Sequence, residues 1–313
     1  MYRNLLLSAL VLPLVACSHA LSSPNGEPLP QTYYDYTLYT PEGQALSLSE
    51  LSAIAADADV ILVGEWHTHS AIHRFQTEFL QQLVKTQPKL AVSMEQFSRD
   101  NQTIVDQYLA SEIGEQTLIT QGNAWPNYES DYRPLIEFAK AKQLDVVAAN
   151  APRNLVRCVG RKGIGYLDTL SREQRAWAAR EINTQASPYK NKFMQSMHHG
   201  TQTQNDNQFA AQATWDETMA ESIVNYLIDH PDSQVMHIAG KFHVEEGLGI
   251  KASIKRRAPK LNVIVISPVG EITLTNPDYQ LHVLPPPARY IQPENRIKAI
   301  HAMMHHSDKM SCD

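Results

Sequence analysis

A basic excess is missing from this 313-residue chain: 27 lysines and arginines stand against 33 aspartates and glutamates, a formal net charge of −6. Without a positive field to meet phosphates, nucleic acid is excluded as the main partner. Missing as well is any apolar run long enough to cross a bilayer, because the stretch from Leu5 to Val15 is too short. No fixed-period repeat and no low-complexity tract is present, which excludes solenoids and disordered interaction tails. What remains is 43% hydrophobic side chains in a chain of this length, enough for a substantial core in one large domain or two small ones.

The first residues, "MYRNLLLSALVLPLVACSHA", have the layout of an export signal: one arginine, a short apolar region, then small residues. Leu14-Val15-Ala16-Cys17 resembles a bacterial lipobox, so residues 1–16 are read as a lipoprotein signal peptide and Cys17 as the lipidated first residue of the mature chain. Ser18 follows where sorted lipoproteins of the inner membrane carry Asp. The expectation is therefore a palmitate-bearing lipid anchor on the outer membrane. With Cys17 taken up, Cys158 and Cys312 are an even pair in an oxidising compartment, and the sequence leaves open whether they form a disulfide or two thiols.

Residues 17–31 carry Ser, Pro, Asn and Gly and are read as a tether. After an edge hairpin around "YTLYTPEGQALS", five short apolar runs follow at 59–64, 90–96, 145–150, 234–240 and 262–267, each bounded by polar or Gly/Pro residues. Buried parallel strands have this appearance. Between the first two, with Ser70 as the expected N-cap, Ile72, Phe75, Phe79, Leu80, Leu83 and Val84 form one helical stripe. The pattern predicts an α/β fold: a largely parallel central sheet flanked by helices, built from residues 32–152 and 227–290. Residues 153–226 read as an inserted helical subdomain. Residues 291–313 read as a C-terminal appendage in which His301, Met303, Met304, His305, His306, Met310 and Cys312 offer soft-metal ligands, a frayed terminal helix being the plainer account.

In open α/β sheets ligands sit beyond the carboxyl ends of the strands. Those ends deliver Glu65 and His67, Glu95, Asn150 and Arg153, His243, and Ser267 in turn. Two ends share a spacing, Gly64-Glu-Trp-His67 and Gly240-Lys-Phe-His243, and the glycines are expected to let the backbone leave the strand in a conformation other residues resist. Such imidazoles beside carboxylates suit general acid–base work or a divalent metal ion held by His67 and His243. His69 and His73 add an i, i+4 pair, yet Ser70 stands where zinc proteases place a glutamate, which weighs against that reading.

The segments "VGEWHTHSAIHRFQ", "SMEQF", "YRPLIEFAKAKQLDVVAANAPRNLVR", "AAQATWDETMA" and "HIAGKFHVEEGLGI" resemble the ChaN family of iron-regulated, haem-binding bacterial lipoproteins, over about residues 58–270. The G-x-x-H pairs are shared more widely, with erythromycin-esterase-like hydrolases and TIKI-type metalloproteases. The resemblance implies haem as cofactor, a tyrosinate on ferric iron, a haem-linked homodimer and an outer-membrane haem-uptake receptor as partner. Within the helical insert the ligand candidates are Tyr189 and Tyr166, with Phe193 and Met197 on the face of Tyr189 at offsets 4 and 8. His198 and His199 are further haem-site candidates, and Arg157, Arg161 and Lys162 are candidates for the propionates, against the simpler reading of a charged helix surface. The alternative to haem binding is a hydrolase, esterase or metalloprotease-like, using Glu65, His67, Glu95 and His243.

Overall fold

The computed structural model describes residues 29–197, 200–299 and 312. The chain opens with a small hairpin, β1 (Thr37–Tyr39) and β2 (Ala45–Leu46), then α1 (Leu48–Ala55), whose Ser47 and Glu50 form a reciprocal capping box. The central strand β3 (Val60–Glu65) leads through a short loop to α2 (Ser70–Thr86), β4 (Leu90–Ser98), α3 (Gln102–Leu109) and α4 (Glu115–Gln121). A π-helical turn, Tyr128–Tyr132, enters α5 (Arg133–Lys142), followed by β5 (Val146–Asn150) and α6 (Arg153–Lys162). Then come α7 (Arg172–Ala176), α8 (Pro188–Ser196), the long α9 (Gln202–Asp229), β6 (Gln234–Gly240), α10 (Lys241–Val244), α11 (Ile250–Arg257), β7 (Val263–Val269) and β8 (Tyr279–His282).

The strands form one sheet in the order β2-β1-β8-β7-β3-β6-β4-β5. All pairings from β8 to β5 are parallel, and only β1 with β8 and β1 with β2 are antiparallel. The fold is α/β with a largely parallel sheet between helical layers. Every residue of β3 and β6 is buried, which is why these strands read as unbroken apolar runs instead of alternating ones.

One face of the sheet packs Ile61, Val63, Val92 and Met94 against α2, α5 and α1, with Ile72, Phe75, Phe79, Leu80 and Leu83 of α2 wholly covered. Each of these large side chains contributes about 1.5–3 kcal/mol of burial. Ser70 does not cap α2: it is the first helical residue, and His69 occupies the cap position without a side-chain hydrogen bond to the helix. The other face packs Val60, Leu62, Ala91 and Val235 against Met219, Ala220 and Ile223 of α9 and Ile250 and Ile254 of α11. α9 also closes the helical region, since Ala210 and Ala211 pack on Leu155, Val156 and Val159 of α6. One continuous helix thus belongs both to the region 153–226 and to the sheet's covering layer.

Cys158 of α6 and Cys312 are joined by a disulfide, and the Lys162 ammonium donates to the Cys312 carbonyl. The pair that the sequence left open is therefore bonded, and it ties residue 312 to α6. The expected lipobox with Cys17, and His198, His199 and the His/Met residues of 301–310, lie outside the described residues.

Candidate functional site

At the carboxyl edge of the sheet, consecutive residues of β4 feed two polar networks on opposite faces. Strand alternation sends Val92, Met94 and Gln96 to the α2/α5 face and Glu95 to the α9 face, just where the pairing of β4 with β5 shifts register between Met94 and Ser98.

The first network centres on Glu65, whose side chain is entirely buried at the last position of β3. Its Oε1 accepts from Tyr132 Oη at 2.6 Å, His67 Nδ1 at 2.8 Å and Gln96 Nε2 at 3.1 Å, while Oε2 accepts from Gln76 Nε2 at 2.8 Å. Burial alone would raise this carboxyl, but the hydrogen bond from His67, the neighbouring imidazoles and the Tyr132 hydroxyl hold it below its ordinary value. Burial, and then the same carboxylate, push the Tyr132 phenol far upward. His73 stands behind Glu65: its ring nitrogens face Gln76 Oε1 at 2.9 Å and the His67 carbonyl at 3.0 Å. Asn127 Nδ2 donates to that same carbonyl at 2.7 Å, so the turn after β3 is tied from two sides.

The second network centres on His243. Its Nδ1 donates to Asp216 Oδ1 of α9 at 2.6 Å, and its Nε2 lies 3.6 Å from Glu95 Oε1. Burial opposes charge on this ring, yet the two carboxylates outweigh it and raise its pKa to about 9. The other oxygen of Glu95 accepts from the Gly240 amide at 2.6 Å. Gln212, one turn before Asp216, donates to Tyr189 Oη at 2.9 Å and lies 3.1 Å from His243 Nδ1.

His67 joins the two networks. Its side chain is 45% exposed, its ring meets Trp125 edge-on at 4.9 Å, and its other face lies on Gly240. Burial would lower this imidazole, but the Glu65 hydrogen bond and the charges of Glu95 and Glu65 raise it.

The two glycines act through space, contrary to the expected conformational role. Gly240 has φ −52°, and neither Gly64 nor Gly240 is in the left-handed region. A Cβ on Gly240 would sit 2.8 Å from His67 Cε1 and 3.5 Å from His243 Cδ2, and one on Gly64 would sit 2.8 Å from Val244 Cγ2. Each glycine therefore makes room for the element carrying the opposite histidine. The paired spacing does bring the two imidazoles to one spot.

The i, i+4 pair does not converge. His69 Nε2 lies 2.8 Å from the Leu284 carbonyl while His73 turns inward to Gln76. Among the described residues no group of three or more His, Cys, Asp or Glu side chains is arranged to hold a metal ion, so the expectation of a divalent metal at His67 and His243 is not supported.

Tyr189 sits on α8, only 7% exposed, among Phe209, Phe193, Met194, Phe242 and Leu248. Its ring meets Phe209 at 6.0 Å and Phe242 at 5.6 Å, and burial, with Asp216 nearby, pushes the phenol well above its ordinary value. Met197 lies past the end of α8 in extended conformation, leaving Phe193 and Met194 as the apolar companions. Tyr166 lies apart, half-buried against the α6 cluster with the Lys162 ammonium 5.8 Å over its ring. Arg157 and Arg161 are exposed on α6, and Asn150 and Ser267 serve structure, donating to the Glu95 carbonyl and to Asp278. Sequence reasoning missed Asp216, Gln212, Gln76, Gln96 and Tyr132. Of these, Gln212 and Asp216 carried a weak signal, as polar residues one helical turn apart inside an otherwise buried stretch.

Residues 51–254 match the family described as haem-binding uptake, Tiki superfamily, ChaN. Among solved structures the chain is similar to ChaN of Campylobacter jejuni, a structure described by its cofacial haem binding, with 18% identity, 82% of this chain and 99% of that chain covered, and a TM-score of 0.63. It is more distantly similar to the erythromycin esterase EreC, with 11% identity, 83% and 85% covered and a TM-score of 0.44. Among curated proteins it is similar to RETICULATA-RELATED 5, chloroplastic, of Arabidopsis thaliana, 24% identical over 196 residues. That match spans 58% of this chain but 26% of the plant protein.

Proposed function

Since this chain belongs to the ChaN family of the Tiki superfamily, the haem-binding uptake group, we propose that it captures haem for iron acquisition at the outer membrane, anchored by lipid on Cys17. The family match across residues 51–254 carries this reading. Cofacial haem in the Campylobacter jejuni relative supports a homodimer joined through its haems, and an outer-membrane uptake receptor is the partner such a task requires.

The residues present fit an iron porphyrin through their chemistry. Tyr189 offers one hard oxygen, and the partly buried Phe193, Met194, Phe242 and Leu248 packed around it supply the apolar surface a porphyrin plane needs. Ferric haem supplies a Lewis-acidic iron, which favours the phenolate that burial otherwise disfavours at this position. Gln212 donates to the phenol oxygen and orients it, and this hydrogen bond would favour the deprotonated form. Tyr166, half-buried at the edge of the α6 cluster, is the second candidate ligand. Titration with hemin should give a shifted Soret band and the charge-transfer features of oxygen-ligated ferric iron, altered by Tyr189→Phe and not by Tyr166→Phe. The reverse pattern would move the ligand to Tyr166, and no change in either would remove tyrosine from the iron.

A second reading follows from one observation: His67 is exposed and faces His243 across Gly240, each held by its own carboxylates. A hydrolase would use His67 as base and His243 as acid, with Glu65, Glu95 and Asp216 setting their charge. Turnover of an ester, lactone or peptide that disappears in His67→Ala and His243→Ala, with hemin affinity intact, would establish it.

A further inference from the structure

The strand that opens the domain enters at the functional edge. Thr37, the first residue of β1, pairs with His282, the last residue of β8, and β8 runs parallel to β7 and β7 to β3. The segment just before β1 therefore lies where the parallel strands end, beside the turn that carries His67. It is a fixed platform: the Asp35 carboxylate accepts from the Thr32 amide at 2.7 Å, the Thr32 hydroxyl at 2.9 Å and the Gln31 amide at 3.1 Å. Tyr33 Oη donates to the Pro285 carbonyl at 3.1 Å, and its ring lies 5.4 Å from that of His69. From this platform Tyr34 projects with 65% of its surface exposed, and the chain leaving Pro285 carries Tyr290 and Ile291, the latter 85% exposed. Exposed Arg289 precedes them. Tyrosines that are apolar in body and polar at the tip, beside a basic residue, are the side chains that settle at a bilayer interface.

We propose that this edge of the sheet rests on the lipid bilayer, with Tyr33, Tyr34, Tyr290 and Ile291 at the headgroup level, so that the edge carrying the exposed His67 faces the membrane surface. The inference rests on the Cys17 anchor proposed above. Eleven residues lie between Cys17 and Leu29, a reach of at most roughly 40 Å. A domain of this size is about 50 Å across, so even a fully extended tether is too short for the opposite edge to rest on the bilayer. An amphiphilic, planar ligand that partitions into lipid would thus reach the site without crossing bulk water.

The test couples the mature chain, through the Cys17 thiol, to maleimide lipid in vesicles of phosphatidylethanolamine and phosphatidylglycerol; Cys158 and Cys312, being bonded to each other, do not compete. Hydrogen exchange should slow by at least about fivefold over residues 31–36 and 286–292 relative to the free chain, with residues 229–234 at the opposite edge unchanged. The Tyr34→Ser/Ile291→Ser variant, whose changed side chains are exposed, should lose that protection at an unchanged melting temperature. Equal exchange on and off vesicles at 31–36, or protection appearing instead at 229–234, would overturn the orientation. An unmodified Cys17 in the chain isolated from envelopes would overturn the anchor itself, a separate outcome.

Discussion

Replacing Tyr132 by Phe tests whether the ionised Glu65 is what organises the site. The change deletes one hydroxyl that donates to a fully buried carboxylate at 2.6 Å and leaves three other donors in place. A hydrogen bond to a charged group contributes about 1.5–3 kcal/mol, which in a chain of this length corresponds to a fall in melting temperature of roughly 2–5 °C. Tyr128 supplies the matched control: its hydroxyl is equally buried but has no partner among the described residues. Tyr128→Phe should stay within about 0.5 kcal/mol of the parent or stabilise it slightly. The penalty at position 132 must also depend on pH. Because the folded-state pKa of Glu65 is depressed, its stabilisation is full above the unfolded carboxyl value and is lost as pH falls through the folded one. Urea unfolding of both variants at neutral pH and at successively lower pH measures this. Equal melting of Tyr132→Phe and Tyr128→Phe at pH 7, or a Tyr132→Phe penalty that grows on acidification, would refute the reasoning.

At the other network the sign is opposite. His243 is raised to about 9, so its contribution to stability is complete below the unfolded value, about 6.5, and disappears as pH climbs through 9. Asp216→Asn should flatten that decline between pH 6.5 and 9, and a decline as steep as the parent's would show that Asp216 does not hold the charge. Gly240→Ala forces a methyl to 2.8 Å from His67 Cε1; it should cost about 1–3 kcal/mol and, seen by NMR titration, return the His67 pKa toward its ordinary value. An unperturbed His67 in that variant would mean the imidazole does not lie on Gly240.

The sheet was readable because parallel strands buried on both faces spell themselves as apolar runs, as in "DVILVG" and "QVMHIAG". β8 was not, since "YQLH" is four residues long, mixes polar with apolar side chains and takes its place from pairing with β7 and β1. Glu65, His67, Glu95 and His243 were legible for a topological reason, as residues at strand ends. Their partners were not, because Asp216, Gln212, Gln76 and Tyr132 arrive from helices, whose rotation about the sheet no local spacing records. The same limit separated Tyr189 from the strand-end residues on paper, whereas Gln212 joins it to His243 in the fold. The glycines of the G-x-x-H pairs were visible, but their reason was not: close packing of an opposite histidine leaves no trace in the glycine's own neighbourhood. Cys158 and Cys312 could be paired only once α6 and the chain end were placed side by side.

The central claim, that this chain grips an iron porphyrin through a phenol oxygen, is tested most directly by incubating the purified protein with hemin, desalting it and recording one absorption spectrum beside that of Tyr189→Phe. The account predicts a retained Soret band with the charge-transfer features of oxygen-ligated ferric iron in the parent and their loss or shift in the variant. A parent protein that leaves the column colourless would contradict it.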